Sequence, residues 1–220
     1  MLHEQRGSTM SYPVSFEVDY VERRNRLTAF FRLILAIPIA IWLYLYGIVA
    51  YVAIVIAWFA IVITGRYPKA LYDFVAGFTR TLALATAYAA LLSDPYPPFA
   101  AGPDSAYPVR MRFAGPLESY SRLKTFFRAL LAIPIAILRY VITLLLEIGA
   151  FAAWFVILFT GKMPRGLYDL MVFANSYIAR SDAYIFLLTE TYPPFEAEHP
   201  LDPGIPGTVS PPEPDYPSAS

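Results

Sequence analysis

Residues 33–65 read LILAIPIAIWLYLYGIVAYVAIVIAWFAIVITG, a run of 33 positions without a charged side chain. As one helix rising 1.5 Å per residue it is roughly 50 Å long, against a bilayer hydrocarbon core of about 30 Å. That is too long for one comfortable span. Counted from Leu27, the run divides at Gly47 into residues 27–46 and 48–64, about 20 and 17 residues, each just long enough to cross. The expectation is therefore a transmembrane hairpin with Gly47 near its tip and Pro38 kinking the first arm. Two rival readings remain open: a break at Pro38 that leaves an interfacial helix, and a shallow re-entrant hairpin.

The basic residues favour the hairpin. Arg23, Arg24, Arg26 and Arg32 precede the run, and Arg66 and Lys69 follow it. If basic loops stay cytoplasmic, both ends of the run lie on one side of the membrane.

The whole pattern occurs twice. Residues 26–99 laid over residues 122–195 without a gap agree at about 32 of 74 positions, which establishes a tandem duplication. Arg26, Leu27, Phe30, Phe31 and Arg32 return as Arg122, Leu123, Phe126, Phe127 and Arg128; Ala36, Ile37 and Pro38 return as Ala132, Ile133 and Pro134. The loop Thr64-Gly65-Arg66-Tyr67-Pro68 leads into Leu71-Tyr72-Asp73, as Thr160-Gly161-Lys162-Met163-Pro164 leads into Leu167-Tyr168-Asp169. Tyr-Pro-Pro-Phe closes each copy, at 96–99 and 192–195. The domain reading is a disordered N-terminus at 1–11, repeat one at 12–99, a linker at 100–106, repeat two at 107–195 and a disordered Pro-rich tail at 196–220. In repeat two, Arg139 and Glu147 interrupt the apolar run, aligned with Leu43 and Tyr51. In a hairpin they sit near the far interface.

Two further elements follow. Residues 69–92 form a third helix with Asp73, Gly77 and Arg80 on one stripe and Leu71, Phe74, Val75, Phe78 and Leu82 opposite; Asp169, Ser176 and Arg180 repeat the stripe. Such an amphipathic helix lies in the interface or packs along the hairpin. Val14, Phe16 and Val18 alternate with Ser15, Glu17 and Asp19, and Val109, Met111 and Phe113 with Arg110 and Arg112. These are two short strands able to pair in a small cytoplasmic sheet. The fold class is an all-α membrane protein with two tandem repeats, each a strand, a kinked hairpin and an interfacial helix.

Composition narrows the chemistry. With 57% hydrophobic and 15% charged residues the chain leans toward the membrane class. Zero formal net charge argues against nucleic acid as a partner. No cysteine is present, and the two histidines, His3 and His199, stand in polar terminal stretches, so a metal site is not expected. The first apolar run starts only at Leu33, behind a polar segment, which is not the layout of a secretory signal.

The motifs quoted above resemble those of an uncharacterised family of bacterial membrane proteins known only as a domain of unknown function. Both copies match, over nearly everything from Tyr12 to Phe195. Members often carry histidine after Ala-Ile-Pro, whereas Ile39 and Ile135 stand here. The resemblance brings no activity, substrate or cofactor, but it implies a bacterial cytoplasmic membrane.

The functional expectation is a non-enzymatic, multi-pass anchor or adaptor of that membrane, with cytoplasmic termini and no cofactor. Its basic face would be formed by Arg26, Arg32, Arg66, Lys69, Arg122, Arg128, Lys162 and Arg165. The partners it suits are anionic lipids, another membrane protein or a second copy. One alternative is a small transporter whose two repeats share an orientation. Another is a lipid-modifying enzyme using Asp73 and Asp169, although no nucleophile, base or metal ligand accompanies them.

Overall fold

The computed structural model describes residues 12–103 and 106–195. The expected disordered ends at 1–11 and 196–220, both histidines and part of the 100–106 linker lie outside those residues. The elements run β1 (Val14–Val18), α1 (Arg26–Phe30), α2 (Arg32–Thr64), α3 (Lys69–Ala89), β2 (Val109–Phe113), α4 (Arg122–Phe126), α5 (Arg128–Thr160) and α6 (Arg165–Ile185). The second copy repeats the first element for element.

The long apolar run is not a hairpin. α2 and α5 are each unbroken for 33 residues, through Pro38 and Gly47 in one and Pro134 in the other. An interior glycine costs a helix only about 1 kcal/mol relative to alanine, so Gly47 alone does not end it. Gly47 instead faces α3: a Cβ there would stand 3.5 Å from the Phe78 ring, an ordinary van der Waals contact. The break that does occur lies seven residues before Pro38, at Phe31, whose φ −87°, ψ 8° falls in the bridge region and offsets α1 from α2. Phe127 does the same in the second copy. The four crossings that two hairpins would make are therefore not formed: among the described residues only these two helices are long and apolar enough to span.

The helical return of each copy is made by α3 and α6. Gly65 and Gly161 end the long helices at φ 74° and 71°, a left-handed conformation in which glycine meets no Cβ penalty. Pro68 and Pro164 start the next helices. α3 runs back along α2: Tyr46 packs edge-on against Phe78, and Arg32 at the start of α2 reaches Asp94 beyond the end of α3. The buried side of α2 is a narrow stripe of Ile39, Gly47, Ala50, Ala53, Ala57 and Ile61, spaced three, four or eight apart.

Of the two courses expected for α3 and α6, the structure shows the second: they pack along the long apolar helices, in the interior. Twelve residues of α3 and thirteen of α6 are buried. They pack antiparallel, with Phe78 against Phe186 and the Asn175 Nδ2 donating to the Ala83 carbonyl. The polar stripe is divided: Asp73 stays exposed, whereas the sheet covers Arg80, which is 9% exposed and donates to the carbonyls of Met111 and Ala101. Phe78 and Arg80 are two residues apart, about 200° around the helix, so one faces α2 and the other the sheet.

The two strands pair as their alternation suggested. β1 and β2 are antiparallel, with Phe16 opposite Met111 and Val14 opposite Phe113. Val14, Phe16, Val109 and Met111 point into the core, while Glu17, Arg110 and Arg112 form ion pairs on the outer side. Because each strand precedes its own helical unit, antiparallel pairing sets the two copies head to tail. The same-orientation arrangement expected for a transporter is therefore absent.

Contacts across the two copies are reciprocal. α1 packs on the end of α5, with Phe30 stacked on Trp154; α4 packs on the end of α2, with the Trp58 indole donating to the Thr125 carbonyl. Arg24 N–H bonds the Gly161 carbonyl and Tyr120 N–H bonds the Gly65 carbonyl. An approximate twofold axis thus relates the copies.

Candidate functional site

The outer side of the long helices is an extended exposed apolar surface. Only 28% of the most apolar stretch of either is buried, whereas the core helix of a soluble protein is mostly buried. Leu33, Tyr44, Ile63, Leu130, Ile148 and Phe159 are each at least 62% exposed. A soluble monomer seldom exposes an apolar patch of more than a few hundred Å², and this one runs the length of two 33-residue helices.

Basic side chains border that surface at both ends. At one end, where α2 begins and α5 finishes, Arg23, Arg26, Lys162 and Arg165 are exposed. At the other, Arg66, Lys69, Arg122 and Lys124 are exposed. Arg26 lies along Gly161, its Nε 3.0 Å from where a Cβ would stand, and Arg122 lies along Gly65 in the same way at 3.4 Å. Each guanidinium therefore sits at the negative end of the opposite copy's long helix. An open depression of about 320 Å³ at the first end is lined by Tyr20, Glu22, Val156, Lys162 and Arg165, among others.

Two of the arginines read as flanking charges have a different place. Arg32 is 2% exposed, donates to the Ser93 carbonyl at 2.9 Å, pairs with Asp94 at 3.0 Å and lies 4.1 Å over the Tyr88 ring. Arg128 is 5% exposed, donates to the Thr189 carbonyl at 3.1 Å and lies 4.0 Å over Tyr184. Both tie the start of a long helix to the end of the returning helix. Their guanidinium groups are turned away from the exposed face.

The two carboxylates are not brought together. Asp73 pairs with Lys69 at 2.6 Å and Asp169 with Arg165 at 3.2 Å, both on exposed first turns. α3 and α6 are antiparallel, so the two aspartates stand at opposite ends of the molecule. At the Asp169 end, Lys162 and Glu22 pair at 2.9 Å; the shared hydrogen bond raises the lysine pKa and lowers that of the glutamate. Burial pushes the Tyr168 hydroxyl up to about 12, and it donates to the Val18 carbonyl. Among the described residues no group of His, Asp and Glu side chains is placed to hold a metal ion.

Arg139 does not meet Glu147. It forms a double hydrogen bond with Asp182 on α6, at 2.7 and 3.2 Å. The aligned positions in repeat one are Leu43 and Thr86, so both members of the pair depart from the repeat in the same copy. That coincidence is the sequence signal that identifies the pair. Glu147 stays exposed on α5.

No curated protein and no solved structure matches the chain. A family model described as a domain of unknown function (DUF4389) matches residues 26–101 and again residues 122–196. These two matches cover more than half of the chain, which therefore belongs to the DUF4389 family with two tandem copies of its domain.

Proposed function

We propose that this protein is a non-enzymatic membrane anchor or adaptor that holds to an anionic lipid surface, the cytoplasmic membrane of a bacterium being the setting its family resemblance suggests. The carrying observation is the exposed apolar side of α2 and α5, bounded at both ends by exposed basic residues. Apolar area supplies adhesion, and each exposed lysine or arginine near an anionic leaflet adds roughly 1 kcal/mol. The lipid-facing members of the basic set are then Arg26, Arg66, Lys69, Arg122, Lys162 and Arg165.

Flotation with vesicles tests this reading. The protein should float with phosphatidylglycerol-containing vesicles in preference to purely zwitterionic ones, and Arg66→Glu with Lys162→Glu should lower that preference at least about tenfold, each reversal removing one favourable charge and adding an unfavourable one. Protein that stays at the bottom of the gradient with every vesicle composition would refute it.

A further inference from the structure

We infer that α2 and α5 do not cross the membrane but lie in its plane, sunk into a single leaflet, with the β1–β2 sheet facing water. The inference rests on the anchor reading and adds the geometry of insertion.

Four features converge on it. The first is the level of the sheet. Met111 at the centre of β2 accepts from Arg80, midway along α3, and Phe78 one half-turn earlier packs on Tyr46 and Gly47, the middle of α2. A helix that crossed would carry Glu17, Arg110 and Arg112 to the bilayer centre, together with the unpaired edges of a two-stranded sheet. Neither is tolerated in hydrocarbon.

The second is charge. The copies are head to tail, so crossing would send one basic end to each side of the membrane, against the usual confinement of such clusters to one side. In-plane helices bring both ends to the same headgroup layer. The third is length. A helix of roughly 50 Å fits a 30 Å core only at a tilt of about 53°, beyond the 0–40° that spanning helices adopt. The fourth is Glu147, exposed halfway along α5. In a crossing helix it lies near the bilayer centre. In a helix sunk by about 5–10 Å it stays within reach of the headgroups.

The partner is therefore one leaflet of a bilayer containing anionic lipid. The chain lacks cysteine, which permits a count of labels per molecule. Arg23→Cys and Glu118→Cys, introduced together, put one thiol at each end. The purified protein is reconstituted in phosphatidylglycerol-containing vesicles, labelled from outside with an impermeant mass-tagged maleimide, and examined intact by mass spectrometry. In-plane helices give molecules with two labels or none, whatever their orientation in the vesicle, and two on every molecule after detergent. Crossing helices give one label on every molecule before detergent, and that result would overturn the inference while leaving the anchor reading intact. Val21→Cys with Leu117→Cys, at exposed neighbouring positions, repeats the count if the first pair disturbs folding. Protein that fails to associate with vesicles at all would sink both readings.

Discussion

Arg139 and Asp182 allow a stability experiment in which the protein supplies its own control. The Asp182 side chain is 6% exposed and that of Arg139 34%, so removing either partner strands the other in unequal surroundings. Breaking a buried pair from one side costs about 3–5 kcal/mol, whereas replacing both partners by fitting apolar groups is often neutral or better. Repeat one already solves the same position with Leu43 and Thr86. Arg139→Leu leaves a nearly enclosed carboxylate and should lose about 3–5 kcal/mol. Asp182→Thr leaves a guanidinium with water on one side, and a smaller loss of about 1–3 kcal/mol follows from that exposure. The double variant should recover to within about 1 kcal/mol of the parent. Burial already drives the Asp182 carboxyl upward in pKa, opposed by Arg139. With the arginine gone, the Arg139→Leu variant should regain stability as pH falls, because protonated Asp182 is the form the fold accepts, and lose it as pH rises through the folded pKa. Thermal unfolding of the four proteins in one detergent, at several pH values, measures the cycle. A double variant as unstable as Arg139→Leu would refute the reasoning, as would a loss on Arg139→Leu that ignores pH.

Three further outcomes follow from the geometry. Arg128→Lys keeps the charge but loses the planar stack on Tyr184, and should lower stability by about 1–2 kcal/mol in thermal unfolding. Gly161→Ala places a Cβ at φ 71°, 3.0 Å from the Arg26 Nε, and should cost about 1–2 kcal/mol, whereas Gly166→Ala, with open space around it, should cost nothing measurable. Burial raises the hydroxyls of Tyr107 and Tyr168 to about 12, so their contribution is complete below pH 10 and is lost as pH rises through 12. Tyrosinate absorbance and loss of helical circular dichroism should rise together over that window.

Much of the chain is legible without coordinates because local rules and packing agree there. The strands follow from alternation alone, and Gly65 and Pro68 end one helix and begin the next as their backbone preferences require. The difference at Gly47 has a physical source: the 33-residue run exceeds a perpendicular span, but a lone interior glycine costs a helix only about 1 kcal/mol and does not turn it. Arg32 and Arg128 were indistinguishable from flanking charges, since nothing local reveals that Tyr88 and Tyr184, 56 residues downstream of each, return beneath them. Arg66 and Lys69 stand exposed in a loop and a first helical turn, positions that the neighbouring Gly65 and Pro68 mark in the sequence. The head-to-tail setting of the copies depends on the direction of strand pairing, which alternation does not encode.

The reciprocal straps, α1 on α5 and α4 on α2, make each copy an incomplete molecule. Cut from the chain, a single copy has no surface for its own short helix, no carbonyl for its Arg24 or Tyr120 amide, and half a sheet. Every one of those gaps is closed by a second identical copy set around a twofold axis, since the contacts are already self-complementary. The tandem chain is thus a dimer joined by a covalent tether. Its single-copy form would fold only by self-association, with a stability that rises with its own concentration.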